Sequence, residues 1–195
     1  MRATAHQLST SYLKDSTNIF RQYKRLGDRA MAQCPDEALF VTLDEESNSI
    51  AIIVKHLAGN MRSRWRDFLT TDGEKPDRNR DTEFEAPPKT RAELTEMWEG
   101  GWKYLFEALE ALTDTDMTKT VTIRSSPHSV MQAINRQVAH YAHHVGQIIL
   151  FGEAFCDEGR KEMGNIERSA RTVATVHGGS SGGEESGTVR QRKRI

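Results

Sequence analysis

Four stretches of this chain repeat their apolar residues every three or four positions, which commits most of it to amphipathic helices packed on one another. The first runs from about Thr4 to Ala32 and carries Leu8, Tyr12, Ile19, Tyr23, Leu26 and Ala30. Cys34-Pro35 closes it, because proline disfavours helical geometry in the residue before it. The second opens at Asn48-Ser49, a good cap pair, and continues through Ile53, Val54, Leu57, Met61, Trp65 and Phe68. The third begins with Thr90 and Glu93, spaced as a capping box in which each side chain satisfies a backbone N–H at the other's position. Leu94, Met97, Trp98, Leu105, Phe106, Leu109 and Leu112 form its buried stripe, and Gly100-Gly101 within it implies close packing or a kink. The fourth reads from Ser126-Pro127, as cap and first helical residue, to about Phe155.

Between these segments, Thr120–Arg124 is β-prone but long enough only for a lone extended piece or a small hairpin. Thr71 to Lys89 is polar, bears prolines and has no period. It reads as a long connection between helices two and three, of a length that suits a loop over the mouth of a site. The fold class expected is therefore all-α, a four-helix bundle over residues 1–156. Residues 157–195 form a tail: seven of the 14 glycines lie there, and from about Gly178 the composition cannot bury enough apolar surface to offset its ordering entropy.

Several classes of function fall away. A formal net charge of −1 gives no global field for nucleic acid or an anionic membrane. The basic run Arg190-Gln-Arg-Lys-Arg194 reads as solubilising charge at a chain end. Cys34 and Cys156 are far apart and fit a reducing compartment. Met1 to Tyr12 has no apolar h-region, and no apolar run approaches the roughly twenty residues of a membrane span. A soluble cytoplasmic protein is the expectation.

Chemistry enters with the histidines. His56 lies at the edge of the second helix's apolar stripe, and His140 and His144 form a His-x-x-x-His pair on the fourth. A four-residue step returns two side chains to one helical face. Two such imidazoles with a third from a neighbouring helix can hold one divalent metal and leave a position open for water or substrate. Position 141 is tyrosine, so the glutamate of the His-Glu-x-x-His zinc proteases is absent. By spacing alone His143 competes with His144, since the two lie about 60° and about 40° from His140 around the helix. His128, placed by this reading in the first turn of helix four, is expected to be solvated, and His6 and His177 are incidental. Asn60 and Gln147 could orient an incoming group, although polar surface or a helix–helix hydrogen bond is the plainer role for each. Arg62, Arg64 and Arg136 could bind a carboxylated cofactor but read by default as exposed. Trp65, Trp98 and Trp102 fit core or interface anchors.

The runs Ile52-Ile-Val-Lys-His56-Leu-Ala-Gly-Asn60-Met-Arg-Ser-Arg-Trp65 and Ile134-Asn-Arg-Gln-Val-Ala-His140-Tyr-Ala-His-His144-Val-Gly-Gln147-Ile resemble the DinB/YfiT-like superfamily, and within it an uncharacterised bacterial subfamily of small DinB-like proteins. The resemblance covers about Ala5 to Phe155 and stops there. It implies a four-helix bundle, often dimeric, with one divalent metal held by a histidine of helix two and two of helix four. On this sequence those positions are His56, His140 and His144. The superfamily includes thiol-S-transferases that use bacillithiol or mycothiol, a maleylpyruvate isomerase and proteins assigned as hydrolases.

Two functions of different class follow. One is a metal-dependent thiol-S-transferase or hydrolase, in which the cation (zinc first, with nickel or manganese as alternatives) activates a low-molecular-weight thiol or water against an electrophile. The other is a non-catalytic, metal-bound helical bundle acting through homodimer contacts or as a stress-related binding protein. No second acid–base residue stands at motif spacing, which keeps the second function in play.

Overall fold

The computed structural model describes residues 11–155, and the expected tail lies outside them. Four helices carry the fold: α1 (Tyr12–Gln33), α2 (Ile50–Trp65), α3 (Arg91–Glu110) and α4 (Val130–Phe155). Short 3-10 turns cover Asp36–Phe40, Asp81–Phe84 and Asp114–Thr118, and an antiparallel hairpin, β1 (Thr120–Ile123) and β2 (Ser126–Ser129), precedes α4. The architecture is the four-helix arrangement that the periodicity predicts. No helix among the described residues is long and apolar enough to cross a membrane.

The helices pack chiefly as two pairs, α2 on α3 and α1 on α4. Phe20, Leu57, Met61, Trp98, Trp102, Ile134, Tyr141 and Ile148 lie in the common core, each at most 2% exposed. Trp65 joins them, so all three tryptophans are core residues here. The diglycine of α3 has two different halves. A Cβ on Gly101 would stand 3.0 Å from the Ala58 Cα and 3.1 Å from the Met61 sulfur, so α2 and α3 approach through the missing side chain. Gly100 faces open space.

Capping matches the sequence at Ser49, whose hydroxyl accepts from Ile52 N, and at Thr90, whose hydroxyl accepts from Glu93 N. The return bond of the expected box shifts by one residue: the Glu93 carboxylate accepts from Lys89 N at 2.7 Å. Helix two stops at Trp65, short of Phe68, and Asp67 follows with a φ of 49°.

The start of α4 corrects the reading at Ser126-Pro127. Those residues belong to β2, and His128 lies in that strand, half-buried, rather than in a helical turn. The cap is Ser129: its hydroxyl accepts from Gln132 N at 3.1 Å while the Gln132 side chain accepts from Ser129 N at 2.9 Å. Arg124 and Ser125 turn the hairpin with φ of 54° and 61°, the left-handed pair of a two-residue hairpin turn. Asp72 steadies that turn by accepting from both of its backbone N–H groups, at 2.9 and 2.7 Å. The long connection is thereby fastened to the hairpin at one end. At the other, the Lys55 ammonium donates to the carbonyls of Thr82, Glu85 and Ala86.

Candidate metal centre

Helices α2 and α4 face each other through polar residues inside an apolar core. Nearest the hairpin, the Trp65 indole N–H donates to the Tyr141 hydroxyl, which donates to the Asn60 amide oxygen, both at 3.0 Å. Asn60 thus makes the helix–helix hydrogen bond. One turn along, His56 from α2 meets His140 and His144 from α4. The ring centroids lie 5.3, 4.9 and 4.7 Å apart for the pairs 56–140, 56–144 and 140–144. One nitrogen of each ring lies within 4.8 Å of the others, which makes a possible three-histidine metal group.

The donor set is of the kind that takes a divalent cation, and one of its pairs stands at ligand spacing. A tetrahedral ion about 2.0–2.1 Å from its nitrogens holds them in pairs about 3.3 Å apart, and His56 Nε2 stands 3.3 Å from His140 Nε2. Two of the rings are oriented from behind. His56 Nδ1 meets the Glu83 carboxylate at 2.9 Å, and His144 Nδ1 meets the Gln147 amide oxygen at 2.7 Å. Burial, then the neighbouring imidazoles, push His140 down to about 3; burial and His56 push His144 down to about 4, against the Gln147 hydrogen bond. Both rings are neutral near pH 7, the form in which imidazole ligates. His143 is exposed and outside the group, its ring 5.0 Å from that of His144.

Glu83 is the residue that the sequence did not reveal. It sits on the 3-10 turn of the long connection, is 5% exposed and is gripped by Arg78, whose Nε and Nη2 donate to its two oxygens at 2.8 and 2.9 Å. Burial pushes its carboxyl up, but the hydrogen bonds from Arg78 and His56 outweigh that and hold it below the ordinary carboxylate range. Beside it, Phe84 stacks on the His56 ring with centroids 4.8 Å apart. The connection lies against the back of His56 as a support; the only sequence signal was its unusual length. Arg64 also departs from the expected solvated role: it is 7% exposed, and its Nη2 donates to Glu74, which further accepts from Arg78 and Arg124. Arg62 is exposed and donates to Asp77, and Arg136 is exposed.

Residues 7–168 match the family described as protein of unknown function (DUF1572). The chain belongs to that family. The match continues beyond Phe155, which corrects the expectation that family likeness ends with the last helix. No curated protein matches the sequence.

Proposed function

We propose that this DUF1572 chain is a DinB-like protein that binds one divalent transition metal through His56, His140 and His144 and uses it in a thiol-S-transferase or hydrolase reaction. The observation that supports this reading is the convergence of three imidazole nitrogens from two facing helices, two of the rings backed by hydrogen-bond acceptors. Bound there, a cation with three neutral ligands lowers the pKa of a thiol or water at its open position toward neutrality. Zinc suits a thiolate best, with nickel and manganese as alternatives.

The chain's own residues bind and orient. Glu83 and Gln147 turn the Nε2 atoms of His56 and His144 inward, and Phe84 covers one face of His56. Among the described residues the group includes no carboxylate, and both Glu83 oxygens are engaged by Arg78 behind the ring. Among the described residues no side chain is placed there as a general base, which favours a thiol nucleophile over water. A small thiol or electrophile as substrate and a homodimer as assembly belong to the same proposal.

Elemental analysis of dialysed protein purified without a histidine tag is the test, followed by thiol consumption with monochlorobimane. Near-stoichiometric metal is expected, and a metal-free native fold would overturn the proposal. Stoichiometric metal without thiol turnover would favour the non-catalytic bundle.

A further inference from the structure

The three rings differ at the nitrogen that faces away from the group. His56 has Glu83 there and His144 has Gln147, whereas His140 Nδ1 is buried without a hydrogen-bond partner. One more side-chain atom of α4 is in that condition, the Gln137 Oε1. Gln137 is 6% exposed and stands three residues before His140, a spacing at which helical side chains are neighbours. Gln147 stands three residues after His144, so the same two residue types recur at the same separation in the opposite sense.

The two atoms make no hydrogen bond to each other, and proton placement gives them no reason to approach. With its Nδ1–H donated to the Glu83 carboxylate, a neutral His56 ring has its lone pair at Nε2. The His56 and His140 Nε2 atoms are 3.3 Å apart, so the hydrogen between them belongs to His140. A neutral His140 protonated at Nε2 is a bare acceptor at Nδ1, and the Gln137 Oε1 is an acceptor as well. Two acceptors cannot satisfy each other. The other unpartnered buried side-chain atoms among the described residues are donors on Arg64 and Trp102, so Gln137 alone offers an acceptor. When His140 gives its Nε2 lone pair to a ligand, the neutral ring carries its proton at Nδ1, and the mismatch becomes a match.

We propose that Gln137 is a positioning residue for His140, its amide oxygen accepting the Nδ1–H of the ring in the metal-loaded protein. The assignment rests on the three-histidine reading above. It gives each ring its own acceptor: Glu83 for His56, Gln147 for His144 and Gln137 for His140. It also makes the loss of Gln137 specific to loading, because the pair is unmade before the metal arrives.

Long-range proton–nitrogen NMR of the full chain with ¹⁵N-labelled histidine, with and without zinc, reads the tautomers directly. His140 is expected in the Nε2–H form without zinc and in the Nδ1–H form with it, with a Nδ1 proton slow to exchange. Gln137→Met should lower zinc affinity by about 10- to 100-fold. Gln137→Glu, which keeps an acceptor oxygen, should restore most of it; a residue that merely filled space would show no such rescue. Zinc uptake unchanged in Gln137→Met overturns the assignment alone, whereas a His140 that stays protonated at Nε2 when loaded has no lone pair there for zinc and overturns the three-histidine reading as well. Failure of the parent protein to take up zinc overturns the three-histidine reading and the assignment with it. Should Gln137→Met lose its helical circular dichroism, the His140 Nδ1 proton of the loaded parent protein decides: slow exchange and a nuclear Overhauser contact to the Gln137 side chain support the assignment, and free exchange with water overturns it.

Discussion

The Glu83 carboxylate crosses α2 directly over Gly59: a Cβ built on that glycine would overlap the carboxylate, standing 2.8 Å from its Cδ. Only a residue without a side chain lets Glu83 lie there and reach His56. Gly59→Ala should therefore push Glu83 away from the ring while leaving all three histidines in place. Cobalt titration should show affinity reduced by about 10- to 100-fold, the usual cost of losing a hydrogen-bond partner behind a ligand. Unchanged affinity would mean that Glu83 supports the connection and has no effect on the ligand.

His143 and His144 are separated by exposure rather than by spacing. His144 is half-buried, faces His56 and is fixed by Gln147, whereas His143 is exposed. His144→Ala should abolish metal retention with a modest loss of stability, and His143→Ala should keep metal content near normal. Elemental analysis of the two variants settles the pair, and the reverse pattern would reassign the ligand.

The four helices were legible because buried stripes at helical spacing need no partner to be recognised. Gln147 stood out in the sequence as a group that could orient an incoming molecule, and the structure has it orient His144 instead. Glu83 was not, since it acts across 27 residues of chain from a segment with no period, and only the fold brings it to His56. Ser126-Pro127 misled because proline suits the first turn of a helix and also a strand in a two-stranded hairpin, where a missing N–H costs little. Ser129 and Gln132 carried the better signal, a serine followed three residues later by a glutamine. Arg64 looked exposed because its burial depends on the connection folding over it.

The paired glycines of α3 should respond in opposite directions. Gly100→Ala adds a methyl to open space and removes a helix-interior glycine, so it should stabilise by about 0.5–1 kcal/mol. Gly101→Ala would force α2 away at Ala58 and Met61, and overpacking of this kind costs about 1–3 kcal/mol. Thermal melts of the two variants check the sign. A stabilising Gly101→Ala would show that the helix pair has slack.

Asp116 makes stability depend on acid pH. Its carboxylate accepts from Thr113 N at 2.7 Å and pairs with Lys119 at 2.6 Å, and the Lys119 hydrogen bond leads the causes that hold it down to about 2. Because the folded value lies below the unfolded one, the contribution is fully present above about pH 4 and is lost as pH falls toward 2. Asp116→Asn should unfold at lower urea than the parent at pH 7, and the gap should narrow as pH drops from about 4 toward 2. A gap independent of pH would assign the effect to shape rather than charge.

Arg78 tests whether the support behind His56 is a coupled unit. Its side chain is 4% exposed, and it donates to both Glu83 oxygens and to Glu74. Removing it leaves the buried Glu83 without its cation, while Glu74 keeps Arg64 and Arg124, and breaking a buried pair from one side costs about 3–5 kcal/mol. Arg78→Ala should therefore lower stability by an amount in that range in urea unfolding. Glu83→Ala added to it should recover part of the loss, since the uncompensated charge is then gone. Metal affinity should behave differently. It should fall in Arg78→Ala, where Glu83 is free to turn from His56, and should not recover in the double variant, which has no carboxylate to offer. Stability that recovers while affinity does not would separate the two roles of Glu83: a buried charge that needs Arg78, and an acceptor that His56 needs. Additive stability losses would mean that the two residues act independently and that the bidentate contact carries little energy.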